Sequence, residues 1–411
     1  RRVHGDQSMS SAFSTCAGIF VTPITSRNLC SFNKSSVSNA FRKFTPSTAI
    51  ITHRPRCNSR NKSVLTSTSP SNAVFQPKKV LVPVAYGSEE MEVVVIVDVL
   101  RRAGAEVLMA SVEPELEIEA SGGIHLIAEV SISYCTDEEF DLIVLPGGMP
   151  GASRLRDSSI LREITSKHVE EKRLLGAICA APAVTLLPWD LLKRKYVTGH
   201  PAFMDKLPTF WAVKSDVYVS KELTTSRGPG TSFEFAITLT EQLFGESAAH
   251  DLRNLYFYKD EKASHSSGAQ WGVNHQPRVL IPISHGTGLV ETVVITDILR
   301  RANVDVAISS VEDSRLICDS QGIKIVADNC IQDATNSIYD VILLICPPQC
   351  ELLTKMVEGQ KRCGRLCMSL ENKGGISSLI GFALEIVGSF FGEKRAASVA
   401  EGLAYRRVLM S

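Results

Sequence analysis

"KKVLVPVAYGSEEMEVVVIVDVLRRAGAEVLMASVE", residues 78–113, returns as "PRVLIPISHGTGLVETVVITDILRRANVDVAISSVE", residues 277–312. Gly87 matches Gly286, Asp98 matches Asp297, and Arg101 and Arg102 match Arg300 and Arg301, all at an offset of 199. Each copy opens with a short β-branched apolar run and a turn glycine. An apolar pattern at helical spacing follows, then a second β-branched run. That order is strand–helix–strand, the start of a doubly wound parallel α/β sheet.

Working outward, "FDLIVLPGG" (140–148) reads as a buried strand ending in a glycine pair, and "RLLGAICAAPAVTLL" (173–187) as a strand running into a helix. "FAITLTEQLFGE" (235–246) is an amphipathic helix whose counterpart is "FALEIVGSFFGE" (382–393). There the offset has fallen to 147, so the second copy lacks about 52 residues (199 − 147). The gap is expected to remove the continuation of the glycine pair and everything up to the counterpart of "SRGPG". The polar stretch 259–276 reads as a linker, and 277–408 as an internally truncated repeat. The truncated copy is either a packing partner for the first or the product of a misassembled gene model.

The chain has 411 residues, 44% of them hydrophobic, with zero formal net charge. That average hides a split. Residues 1–75 hold ten of the 44 basic side chains and one of the 44 acidic ones, and are crowded with Ser and Thr. Such a basic, Ser-rich stretch, free of acid from Met9 onward and without a secretory apolar core, has the composition of a transit peptide, and the Ser/Thr excess points to the chloroplast. The remainder carries 34 basic against 43 acidic residues and no basic stripe, which argues against nucleic acid as a partner. No apolar run is long enough to span a membrane. Eleven cysteines at irregular spacing do not form a disulfide framework. The pairs Cys346/Cys350 and Cys363/Cys367 have no nearby histidine and no zinc-knuckle spacing, so no metal is expected.

One cysteine stands apart. In "GAICAAPAVTLLPWD" (176–190), Cys179 falls between the apolar strand and a helix whose first turn carries Pro182, with small neighbours that permit a strained backbone. An elbow at the carboxyl edge of a parallel sheet presents its side chain where open α/β sheets bind ligands. The helix N-terminus behind it is expected to lower the thiol pKa.

"YGSEEME", "VLRRAGAEV", "LPGGMPGA", "AICAAP", "GHPA" and "SRGPGTSFEFA" occur in this order across residues 78–258, and together they resemble one complete domain of the DJ-1/PfpI family. The second copy resembles that family only at its two ends. The resemblance implies a flavodoxin-like sandwich, and it implies roles for particular residues. Cys179 is the reactive thiol, Glu92 a carboxyl beside it that is protonated and donates to the thiolate, and His200 a nearby proton shuttle. The backbone N–H groups of Gly148 and Ala180 are oxyanion donors. Where the family motif has a glycine two places after the cysteine, this chain has Ala181.

Two functions are consistent with these residues. The first is a cofactor-free glyoxalase acting on small reactive aldehydes through a hemithioacetal on Cys179. The second is a thiol redox sensor or chaperone-like protein supporting chloroplast development, since an accessible low-pKa cysteine oxidises readily. A peptidase is disfavoured, because the protease branch places histidine directly after the cysteine and here that position is Ala180. The second repeat is expected to pack against the first in place of the homodimer partner that the family resemblance implies.

Overall fold

The computed structural model describes residues 77–257, 271, 274–345, 350–363, 365–370 and 376–405. The basic N-terminal stretch, most of the 259–276 linker and Cys346 lie outside the described residues.

The first repeat runs β1 (Lys79–Val84), α1 (Glu90–Arg102), β2 (Glu106–Ser111), β3 (Glu117–Glu119), β4 (His125–Ile127), β5 (Val130–Ser131), β6 (Leu142–Leu145), α2 (Gly151–Asp157), α3 (Ser159–Glu170), β7 (Leu174–Ile178), β8 (Val217–Ser220), β9 (Leu223–Ser226), α4 (Ser232–Phe244) and α5 (Glu246–Tyr256). Its sheet has the order β5-β2-β1-β6-β7-β9-β8, parallel except for β8. Buried from both sides, β1 and β6 are near-continuous runs of Val, Leu and Ile rather than alternating ones.

The second repeat runs β10 (Arg278–Ile283), α6 (Leu289–Arg301), β11 (Asp305–Ser310), β12 (Leu316–Cys318), β13 (Lys324–Val326), β14 (Asn329–Cys330), α7 (Ile331–Ala334), β15 (Val341–Leu344), α8 (Glu351–Arg362), β16 (Leu366–Ser369), α9 (Ile376–Phe391) and α10 (Glu393–Gly402). Its sheet, β14-β11-β10-β15-β16, is wholly parallel.

This refines where the second copy is cut. α8 stands opposite α3 and β16 opposite β7 at a constant offset of 192 (351 − 159 and 366 − 174). The loss is therefore split. A short piece between β15 and α8 removes the counterpart of α2, and a longer one between β16 and α9 removes the elbow, β8 and β9. The strand before the elbow is retained. It becomes an open edge, with Leu366 37% exposed.

Two features join the repeats. Hairpin β3–β4 and hairpin β12–β13 form one antiparallel sheet, with Leu126 opposite Ile325 and His125 opposite Val326. Helix α1 packs on α6, and apolar residues of both helices belong to a single buried cluster. The outer faces of the two sheets keep separate clusters. Val and Ile are weak helix formers, yet α1 reads EMEVVVIVDVLRR and is buried from Glu90 to Leu100. Packing between a sheet and a second helix overrides that propensity. Among the described residues, no helix is long and apolar enough to cross a membrane.

Candidate active site around Cys179

Cys179 follows β7 with φ +62°, in the left-handed region that L side chains rarely adopt. Both of its backbone groups are pinned: its N–H donates to Ser226 O at 3.0 Å and its carbonyl accepts from His200 N–H at 2.8 Å. Strain of this kind persists where the surroundings over-determine it, and it clusters at functional sites. The glycine pair is the reason the elbow can close. A Cβ on Gly147 would lie 2.6 Å from Cys179 Cβ and 3.0 Å from Sγ.

The elbow opens into a short helix of unusual form, with Ala181 and Leu187 in the right-handed helical region and Val184 N–H donating to Ala180 O at 2.8 Å. Pro182–Leu186 is a single π-helical turn, followed by irregular turns. So short a helical segment offers only a weak field at the thiol. Burial instead pushes the Cys179 thiol well up, and the negative charges of Glu92 and Glu89 add to it, while a hydrogen bond from the Gly148 N–H opposes them. The side chain is only 8% exposed.

Glu92 is fully buried in the first turn of α1. Its Oε2 accepts from Gly147 N–H at 2.7 Å. Oε1 finds no nitrogen or oxygen donor, and the carboxyl's remaining neighbour is the Cys179 sulfur. Burial raises its pKa to about 7, with the Gly147 and Cys179 hydrogen bonds pulling the other way. A carboxyl poised there is an acid or a base with equal ease near neutral pH. When it is protonated, its repulsion of the thiolate is gone and it can donate to the sulfur instead.

The structure brings Cys179, Glu92 and Gly148 together. The Ala180 nitrogen faces the same space, 3.0 Å from where a Cβ on Gly147 would sit. His200 is placed differently. Its backbone N–H holds the elbow, but its ring turns away: Nδ1 accepts from Ala202 N–H at 3.2 Å, and Nε2 lies 3.3 Å from Gly402 O. A carbonyl can only accept, so Nε2 carries the hydrogen and the ring is neutral with both nitrogens engaged. Burial also lowers its pKa. Among the described residues the ring makes no hydrogen bond to Cys179 or Glu92.

Two residues were missed by sequence reasoning. Glu89 caps α1, its Oε2 accepting from Glu92 N–H at 2.6 Å. Arg301 of the second repeat reaches it, with Nη2 2.9 Å from Glu89 Oε1 and Nε 2.7 Å from Asp297 Oδ2. Carboxylate oxygens of Glu89, Glu90 and Asp297 lie within 4.8 Å of one another, and the Arg301 guanidinium already supplies a cation there. The signal was present: three acids crowd "SEEME", and the Arg pair returns in both copies. A cavity of about 460 Å³ is lined by Pro201 and Arg227 together with residues of α9 and α10 and, beyond α10, Tyr405, but not by Cys179 or Glu92.

Comparison with known proteins places these features in a family. The sequence pattern of the DJ-1/PfpI family matches residues 78–242 and 277–367. Protein DJ-1 homolog A of Arabidopsis thaliana is 37% identical over 310 residues, covering 71% of this chain and 79% of that one. Protein DJ-1 homolog B of the same plant is 37% identical over 331 residues, covering 76% and 74%. A Caenorhabditis elegans protein described as a glutathione-independent glyoxalase is 36% identical over 169 residues, covering 40% of this chain and 88% of its own.

Proposed function

The chain belongs to the DJ-1/PfpI family, and from that premise we propose that it is a glutathione-independent glyoxalase working through Cys179 and Glu92. The observation that carries the reading is the pairing of a strained, pinned thiol with a fully buried carboxyl whose pKa stands at about 7. The nematode relative described as a glyoxalase supports it.

In this reading the Cys179 sulfur adds to the aldehyde carbon of methylglyoxal, and the aldehyde oxygen takes the thiol proton, giving a hemithioacetal. Glu92, ionised, removes the hydrogen from that carbon and returns it to the neighbouring ketone carbon. The hemithioacetal hydroxyl gives up its proton and the ketone oxygen takes one, so the ketone becomes an alcohol and the hemithioacetal carbon a thioester. Water then cleaves the thioester to lactate and restores the thiol. The N–H groups of Gly148 and Ala180 stabilise the oxygen that gains charge. No oxidant or reductant enters. The second repeat stands in for a homodimer partner, and residues 1–75 act as a plastid address, a reading that rests on their composition.

The test is lactate formation from methylglyoxal, without glutathione, by the full chain beside Cys179→Ser and Glu92→Gln. Turnover that both variants lose supports the assignment. No turnover from the folded parent overturns it in favour of a redox role, in which the Gly148 N–H and protonated Glu92 would stabilise an oxidised sulfur.

A further inference from the structure

We infer that Arg301, supplied by the second repeat, is a positioning residue for the Cys179–Glu92 pair of the first, so that the truncated repeat completes a site it cannot build for itself. The inference rests on Cys179 and Glu92 being the reactive pair.

The contacts run in an unbroken line. Arg301 Nη2 holds Glu89 Oε1 at 2.9 Å, and the other oxygen of Glu89 accepts the Glu92 N–H at 2.6 Å. The Glu89 N–H donates to Gly147 O at 3.2 Å, while Gly147 N–H donates to Glu92 Oε2 at 2.7 Å. Gly147 in turn packs against Cys179 with no room for a side chain. Arg301 therefore grips the residue that sets the turn carrying Glu92, and that turn grips the glycine under the thiol.

The line runs in one direction only. At the offset of 199, Arg301 corresponds to Arg102, Asp297 to Asp98, and Glu92 to Glu291. Both arginines keep their aspartate, Arg102 Nε to Asp98 Oδ2 at 2.8 Å and Arg301 Nε to Asp297 Oδ2 at 2.7 Å. The counterpart of Glu89, however, is Gly288. Arg102 therefore meets no capping carboxylate, and Asp98 is taken up by the Tyr256 hydroxyl. The glutamate that couples an arginine to the facing site is present in the half with the elbow thiol and absent from the half without it.

Charge supports the geometry. The groups facing this region are Glu89 at the N-cap of α1, Glu90 and Glu92 from α1, Asp297 and Arg300 from α6, and His200, on which Arg301 also acts. Arg395 of α10 donates to the Arg301 carbonyl at 2.9 Å. Four buried carboxyl groups, Glu89, Glu90, Glu92 and Asp297, surround the Arg301 guanidinium, which pairs directly with two of them, Glu89 and Asp297. The negative charge of Glu89, the partner of Arg301, raises the thiol. Losing Arg301 leaves that charge unpaired and losing Glu89 removes it, so the two losses should move the thiol in opposite directions, which a purely structural ion pair would not do.

The experiment is the pH dependence of Cys179 alkylation by iodoacetamide in the full chain, followed at the Cys179 peptide by mass spectrometry. Arg301→Gln is expected to raise the midpoint by about one unit, so that alkylation near pH 7 slows about tenfold. Glu89→Gln is expected to lower it by a similar amount, Arg301→Lys to restore most of the parent profile, and Arg102→Gln to leave it unchanged. Two folded variants whose midpoints coincide with the parent, or move together, would overturn the inference. Should Arg301→Gln not fold, Glu89→Gln decides alone: an unmoved or raised midpoint overturns it. Because the readout is thiol chemistry, a failure here leaves the glyoxalase reading standing, and an absence of lactate formation leaves this result standing.

Discussion

The backbone N–H of Gly147 donates to the buried carboxyl of Glu92 over 2.7 Å, and the same glycine has space for nothing larger than hydrogen against Cys179. One residue thus sets both the orientation of the acid and the approach of the thiol. Gly147→Ala should displace the elbow, cut turnover at least a hundredfold and destabilise the fold by about 1–3 kcal/mol through overpacking. Steady-state kinetics beside a urea titration would check it, and an alanine variant with parental turnover would remove the glycine from the argument.

The Glu92 carboxyl, raised to about 7 by burial, links activity to pH. If it acts as the base, kcat for methylglyoxal should climb through pH 7 and level off above it. Glu92→Gln should abolish that limb.

The same shift predicts a stability change. The folded pKa lies above the unfolded value of about 4.5, so the contribution of Glu92 is fully present below pH 4.5 and is lost as pH rises through about 7. Above that, the fold carries a buried charge costing up to about 3 kcal/mol. Glu92→Gln should accordingly melt at a higher temperature than the parent at pH 8 and close to it at pH 4.5. A Tm difference of the opposite sign at pH 8 would refute the buried-charge account.

His200 holds the elbow by its backbone and spends both ring nitrogens elsewhere. His200→Ala should leave turnover within about tenfold of the parent and lose about 1 kcal/mol of stability, as for a lost cap. A collapse of kcat comparable to Cys179→Ser would show that the ring swings into the site during the reaction.

Tyr256 donates its hydroxyl to the buried Asp98 Oδ2, and Asp98 Oδ1 has no partner. Removing that donor leaves Asp98 with Arg102 alone. Tyr256→Phe should cost about 1.5–3 kcal/mol, the range for a hydrogen bond to a charged group, read from the urea midpoint with an unchanged m-value.

Much of this was legible along the chain. The repeat at offset 199 specified two α/β sheets, because a buried parallel strand can be little else than a run of Val, Ile and Leu. The motifs around Cys179, Glu92 and Gly148 marked groups that the structure brings together. Other features were not legible. "AAPAVTLL" carries a helical pattern with Pro182 at an allowed position, and the structure places a π turn within it at Pro182–Leu186, a hydrogen-bond shift that residue spacing does not announce. The single gap read from two offsets is two gaps, because α8 and β16 share shape but little sequence with α3 and β7.

By itself, then, the sequence determined the family and the doubling, and it singled out Cys179 and Glu92, which the fold sets side by side, all from local pattern and spacing. Only the tertiary structure decided the environment of that thiol and the second repeat's part in it. Burial outweighs any helix field at Cys179, and Arg301 reaches Glu89 from more than two hundred positions away. Desolvation and long-range ion pairing are set by what surrounds a group in space, and linear order does not encode that surrounding.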